Sequence, residues 1–427
     1  MKARTIAAAA LTACVALLAT ACNAGSTPSG GSTEDTKTFD FWSFSGINQK
    51  ASVQEYKAKH PDVTVNLTEV GSSVETAQAL TTALAGGKVP DLVLIQGDDL
   101  PKFMMNPGNF KDLRDFGAGD ITGNYLDWVM AQSTGADGEV VGIPTDVGGM
   151  AMSYRVDKFK AAGLPTDPAE VSKLWPTWQD YLKVAKAYTA KTGEPFLDNA
   201  STTVFYQAVN QVSQKYYDNS TREPIYATNP EVRAAFDLGI EAATSGTTAK
   251  QGSFTTGWSA GLANADFATV ATPSWMLGSI KSNAPKTDGK WDIAVIPGGG
   301  KGNWGGSYLA IPAGAKNPVA AWNYIKEMQA PDSQLAHFLD SGSLPTTPSV
   351  FTDPKLLAKT DPFFSDAPIG KIFTESVDGL KPFYIGPDSS TIGAEFQNSI
   401  NNVEAGKGDP STAFDTAVQN IKTALGG

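Results

Sequence analysis

At 427 residues the chain is longer than one ordinary hydrophobic core supports, so two domains or lobes are expected. Hydrophobic residues make up 41% and charged residues 18%, which describes a folded protein and excludes global disorder. The net charge of −11 argues against a nucleic-acid partner, which needs a basic surface, and disfavours an anionic ligand.

The N-terminus carries an address. Lys2 and Arg4 precede an apolar run from Ile6 to Ala21, the plan of a secretory signal and too short for a comfortable transmembrane helix. The run ends Leu17-Leu18-Ala19-Thr20-Ala21-Cys22, which resembles a bacterial lipobox with Cys22 as the lipidated first mature residue. Residues 24–35 then read as a flexible polar tether. Loss of residues 1–21 removes Lys2 and Arg4 and no acid, leaving 31 bases against 44 acids, a net charge of −13. Only Cys14 and Cys22 exist, so the body beyond the tether is expected to hold neither disulfide nor thiol nucleophile.

From Thr38 the pattern alternates strand and helix. Phe39–Phe44 reads as an aromatic-rich strand, Asn48–His60 as a helix stopped by Pro61, and Val63, Val65 and Leu67 as an alternating strand. Ser72 and Glu75 form a capping box for a helix with Val74, Ala77, Leu80/Thr81 and Leu84 on its apolar face, ended by Gly86-Gly87. Leu92-Val93-Leu94-Ile95 has the continuous apolar character of a parallel strand covered on both sides. Such alternation predicts an α/β fold with a doubly wound sheet. Ligands of open parallel sheets bind beyond the carboxyl ends of the strands. That rule selects Trp42-Ser43-Phe44 and Gln96-Gly97-Asp98-Asp99. An indole packs on the C–H face of a sugar while carboxylates accept its hydroxyl hydrogens.

Val140–Tyr154 holds two apolar runs, Val140–Ile143 and Met150–Tyr154, around Pro144 and Gly148-Gly149. It reads either as a hairpin within one domain or as a crossing between two lobes with Asp146 facing the cleft. Beyond it the pattern predicts helices over Val156–Gly163, Thr177–Thr192 and Asn229–Gly246 and strands over Phe267–Ala271, Trp291–Ile296 and Tyr308–Pro312. A glycine-rich stretch, 297–307, precedes the last strand and lacks the Gly-x-x-x-x-Gly-Lys-Ser/Thr phosphate-loop pattern. Asn317-Pro318 and Asp409-Pro410 cap the final helices. His60 and His337 have no partner at triad or metal spacing, and the adjacent acids Asp98 and Asp99 make a poor hydrolase pair, since two carboxylates flanking a glycosidic bond come from different elements.

Several stretches together resemble the family-1 extracellular solute-binding proteins, the maltose-binding-protein-like receptors of carbohydrate ABC importers. They are the lipobox and tether, Gly86-Gly87-Lys88-Val89-Pro90-Asp91-Leu92, Gly142-Ile143-Pro144 through Tyr154-Arg155, Ala271-Thr272-Pro273-Ser274-Trp275, Asn303-Trp304-Gly305-Gly306 through Ile311, and Glu404-Ala405-Gly406-Lys407. Their order spans residues 39–425. The resemblance implies a two-lobed type II periplasmic-binding-protein-like fold that closes on a ligand between the lobes. It implies a signal peptide at 1–21, a lipidated Cys22 and tether at 22–37, lobe 1 from 38–146 plus 308–350, and lobe 2 from 147–307 plus 351–427. By matching position Asp98 is implied as a sugar-binding carboxylate and Trp275 as a stacking aromatic. Gly148 stands where the maltose receptor carries an acid, and Tyr384 substitutes for an aromatic absent from Ser389–Gln397.

The expectation is a non-enzymatic, monomeric receptor without a cofactor, anchored through Cys22 on the outer face of a bacterial membrane. Its ligand would be a neutral di- or oligosaccharide and its partners the permease subunits and ATPases of an importer. Trp42, Trp275 and Trp304 would stack, with Phe44 and Tyr384 contributing less. Gln96, Asp98, Asp99, Asp146, Ser274 and the Gly305-Gly306 backbone would supply polar contacts. The competing readings are a receptor for another solute such as a polyamine, and a secreted glycoside hydrolase.

Overall fold

The computed structural model describes residues 37–45, 47, 49–380 and 383–426. The signal, Cys22 and most of the tether lie outside them. Among the described residues no helix is long and apolar enough to cross a membrane.

Among the described residues seven strands set the frame: β1 (Thr38–Ser43), β2 (Thr64–Glu69), β3 (Leu92–Gln96), β4 (Gly142–Arg155), β5 (Thr269–Pro273), β6 (Trp291–Ala294) and β7 (Asn303–Ala310). Their order is β2-β1-β3-β7-β4-β5, with β6 also paired to β4. The first three are parallel, as the strand–helix alternation predicts. The pairings of β7 and β4 with their neighbouring strands are antiparallel, so the sheet is mixed rather than purely parallel. The antiparallel strands come from distant parts of the chain, a pairing that local alternation does not report.

Local chemistry sets most element ends. Ser72 accepts from the Glu75 amide at 3.2 Å while Glu75 accepts from the Ser72 amide at 2.7 Å, the reciprocal box that opens helix Ser73–Gly86. Gly87 closes it at φ 68°. Thr177 and Asn229 cap helices Trp178–Thr192 and Pro230–Thr244 as expected. Other expectations shift. The buried face of Ser73–Gly86 is Thr76, Leu80 and Ala83, with Val74 exposed, because the stripe is rotated by about one residue. The last helix starts at Ala413, since Asp409 spends its carboxylate on the Ser411 amide in the preceding turn.

Strand β3 shows why its sequence is apolar throughout. Leu92 and Leu94 enter a cluster with Phe39, Phe41, Leu309, Trp322 and Tyr324, whereas Val93 and Ile95 enter a larger cluster on the other face. The larger cluster continues through Tyr154, Phe159, Trp175, Phe196, Phe205 and Phe396.

Val140–Tyr154 is not a hairpin. β4 runs unbroken for 14 residues: Gly142–Gly149 pairs with β7, and Met150–Arg155 lies between β5 and β6. The irregularity expected around Pro144 and Gly148 survives as two register shifts, between Pro144 and Asp146 and between Val147 and Gly149. Its partner β7 begins at Asn303, inside the stretch read as a glycine loop. Gly305 and Gly306, at φ 86° and 116°, let β7 follow the bulged β4. A Cβ on Gly306 would stand 2.6 Å from the Asp146 carbonyl oxygen.

Candidate functional site

An open cleft of about 620 Å³ lies at the carboxyl ends of β1 and β3 and against the bulged β4–β7 pair. Phe44, Gln96, Asp146, Trp275, Trp304, Gly305 and Gly306, from the expected set, all line it. Ser45, Ser72 and Ser73 add hydroxyls from the β1 and β2 ends, and Ser279 and Asn283 add polar groups from helix Met276–Asn283. Among the described residues no lysine, arginine or histidine lines the cleft. Nor do His, Cys, Asp and Glu gather there or elsewhere in a group able to hold a metal ion, again among the described residues.

Its apolar wall is a set of rings. The Trp275 and Trp304 centroids are 5.7 Å apart at 77°, an edge-to-face pair. The Trp275 indole N–H donates to the Trp304 carbonyl at 3.0 Å, so the second ring's backbone orients the first. Asn303 holds that segment to β4, accepting from the Gly148 amide at 2.7 Å and donating to the Gly305 carbonyl at 2.8 Å. Gly148 is required for this approach: a Cβ there would meet the Trp304 carbonyl oxygen at 1.8 Å and the Trp275 Nε1 at 3.1 Å. A side chain at position 148 would thus collide with the backbone of the aromatic wall.

Asp146 is the only carboxylate lining the cleft among the described residues. Burial pushes it up to about 6, against hydrogen bonds from the Thr145 hydroxyl at 2.7 Å and the Ser307 backbone. It also borders an adjoining polar hollow of about 360 Å³ that includes Gln334 and His337. Gln96 turns its carbonyl oxygen to the Asp98 amide at 3.0 Å, leaving its amide group free to face the cleft.

The remaining expected residues lie elsewhere. Trp42 sits inside β1, paired with Thr68 and Val93, and packs half-buried against the larger core instead of standing beyond the strand end. Ser274 is fully buried; its amide donates to the Gly149 carbonyl, and its hydroxyl links the Val147 carbonyl to the Leu344 amide at 3.4 Å each. Tyr384 stands edge-on to Tyr217 under the Arg222 guanidinium, while the neighbouring Phe383 lines a different, smaller cavity. Asp98 borders that same cavity of about 50 Å³, where its Oδ2 accepts from the Tyr206 hydroxyl at 2.8 Å. Asp99 begins helix Leu100–Met104 without capping it. Burial pushes it up to about 6, opposed by a hydrogen bond from Ser390 and reinforced by the Asp98 charge.

Two aromatic residues of the cleft, and one packed against its wall, were not expected from the sequence. Phe254 and Trp258 line the cleft, and Tyr206 packs on Trp304 with centroids 5.2 Å apart. Phe254 could have been noticed as a lone aromatic in the polar run Gln251-Gly252-Ser253-Phe254-Thr255-Thr256. Tyr206 sits in the wide-turn helix Ser201–Tyr206, whose geometry no local pattern announces.

Comparison with known proteins places this architecture. Residues 51–364 match the family described as bacterial extracellular solute-binding protein. A lactose-binding protein of Rhizobium radiobacter is 29% identical over 339 residues, 78% of this chain and 74% of that protein. An arabinooligosaccharide-binding protein of Bacillus subtilis (strain 168) is 23% identical over 99% of this chain and 100% of its own length. A crystal structure described as an extracellular solute-binding protein of family 1 is 32% identical, covers 91% of this chain and 99% of its own, and superposes with a TM-score of 0.78. The chain belongs to the bacterial extracellular solute-binding proteins.

Proposed function

We propose that this protein is a receptor that closes on a neutral di- or oligosaccharide outside the cell and delivers it to the permease of an ABC importer. The observation that carries this reading is the cleft itself: a wall of indole and phenyl rings faces hydroxyl, amide and carboxylate groups with no cationic side chain among the described lining residues. Rings pack on sugar C–H faces, and neutral polar groups satisfy hydroxyls without favouring an anion. The names of the lactose-binding and arabinooligosaccharide-binding relatives support the same ligand class.

The lobes of this receptor are 38–146 plus 308–350 and 147–307 plus 351–427, and β4 and β7 run between them. Isothermal titration with maltose, lactose, cellobiose and spermidine tests the reading. Micromolar binding of at least one of the three sugars, with no shorter product after prolonged incubation, is the expected result. Binding of spermidine alone, or turnover of a sugar, would overturn it. The mature chain acts as a monomer held on the membrane by lipid on Cys22. A Cys22→Ala chain in a bacterial host should appear in the soluble fraction or persist as precursor, and unchanged detergent-dependent extraction would count against the anchor.

A further inference from the structure

The loop between Thr248 and helix Thr256–Asn264 carries a residue whose position is unfavourable by every local criterion. Phe254 leaves 53% of its surface exposed, and its φ is 67°, a left-handed conformation that a bulky side chain rarely adopts. Neither core packing nor turn chemistry accounts for it, since a glycine would meet the backbone need and a polar residue the solvent. Such outliers persist where the surroundings impose them, and they concentrate at ligand clamps.

The surroundings here are specific. The Phe254 ring lies nearly parallel to Trp275, at 25° with centroids 6.0 Å apart, and 5.2 Å from Trp258. Its loop is tied down by a fully buried turn. Asn199 donates to the Gln251 carbonyl and to the Ser253 hydroxyl at 3.1 Å each, and the Gln251 amide donates to the Asp198 carbonyl at 3.0 Å. The Asp198 carboxylate accepts from the Trp258 indole at 2.9 Å, so one buried group holds both the loop and the ring behind it. The backbone of Phe254 is therefore tied down while its ring, half exposed, lies against Trp258 and Trp275 in the lining of the cleft.

We infer that Phe254 is a specificity-determining flap that, with Trp275, sandwiches one saccharide unit between two aromatic faces. This rests on the saccharide reading above. Carbon-to-carbon contact on each side requires ring planes about 7–8 Å apart, twice the 3.5–4.0 Å contact distance. With centroids 6.0 Å apart the two rings leave no such gap, so the Phe254 ring rotates outward about its side-chain torsions when the unit enters and otherwise covers the Trp275 face. A sandwich rewards a unit with C–H groups on both faces. It penalises one that presses an axial hydroxyl against a ring, where that hydroxyl finds no hydrogen-bond partner.

Titrating maltose, lactose and cellobiose into the wild-type chain and into Phe254→Ala, Phe254→Gly and Phe254→Tyr tests this. The alanine variant is expected to lose at least tenfold in affinity for each sugar the wild type binds, with the melting temperature held within about 2 °C because the ring is half exposed. The glycine variant should lose the same affinity and melt higher, since strain is relieved at φ 67°. The tyrosine variant should stay within about threefold of wild type. Unchanged affinity in the alanine variant, or a large fall in its melting temperature, overturns the flap while leaving the saccharide reading intact. If none of the three sugars binds the wild type, the saccharide reading fails first and the flap with it.

Discussion

At the scale of single residues, Trp275 and Gly148 carry opposite risks. Trp275 is half-buried and reaches the cleft, so its removal takes away ring surface that a ligand would cover. Trp275→Ala is expected to lose about 2–3 kcal/mol of binding, a thirty- to hundredfold weaker Kd, measured by titration alongside the melting temperature. A core residue would behave differently, costing about 3–5 kcal/mol of stability with affinity intact. Gly148 touches no cleft surface, yet its Cα hydrogens face the Trp304 carbonyl. A methyl group at 1.8 Å from that oxygen must displace the backbone of β7, so Gly148→Ala should destabilise by about 3 kcal/mol in urea unfolding and also weaken binding. A variant as stable as wild type would show that the two strands separate freely there.

Between elements, the contact to test is the one joining the carboxyl end of β3 to helix Ser201–Tyr206. The Tyr206 hydroxyl donates to Asp98, and the Tyr206 ring rests on Trp304. From below, the ring is supported by the ammonium of buried Lys215, 5.2 Å from its centroid, which itself donates to Asn210 at 2.8 Å. With Asp98 in one proposed lobe and Tyr206 in the other, we propose that this bond clasps the two lobes to each other. Tyr206→Phe removes a hydrogen bond worth roughly 1–3 kcal/mol. Small-angle scattering should show a larger radius of gyration for the ligand-free variant, with weaker sugar binding. An unchanged radius and affinity would mean the bond only decorates an already closed surface.

The whole molecule should respond to pH in an unusual direction. Burial pushes Asp99, Asp146 and Asp292 up to about 6 and Asp198 up to about 7. Unfolded aspartate titrates near 3.9, so between about pH 4 and these values the native chain holds protons that the unfolded chain has released. Stability from these groups is therefore lost as pH rises through that window and regained as pH falls from about 7 toward 5. Lower pH also relieves the repulsion of an acidic chain. Opposing this, the hydrogen bonds that hold the Asp112 and Asp180 carboxyls below their ordinary range are lost only under more acidic conditions. The melting temperature measured from pH 8 to 4 should peak near pH 5. A maximum at pH 7–8 would show that the buried carboxyls stay ionised in the native chain.

Much of this protein was legible in order along the chain. The capping box at Ser72, the two-faced apolar run of β3 and the glycine stop at Gly87 are local features, set by hydrogen-bond geometry and side-chain alternation within a few residues. The cleft residues at strand ends, Phe44 and Gln96, follow from the same logic, because a parallel strand's carboxyl end faces the ligand side of its sheet. Pairings between distant segments were not legible. That Asn303–Ser307 is strand depends on Gly305 and Gly306 matching a bulge in β4, some 160 residues earlier in the chain, and no periodicity within the glycine run reports that partner. Trp42 and Ser274 have the right chemistry for a sugar, yet sheet pairing and burial turn them toward the core. Phe254 and Trp258 reach the cleft because a buried aspartate holds them there, and Tyr206 packs against Trp304 because a wide helical turn and a distant carboxylate place it. Residue type and spacing determined which elements form and what chemistry the chain contains; long-range packing alone decided which of those side chains share one cleft.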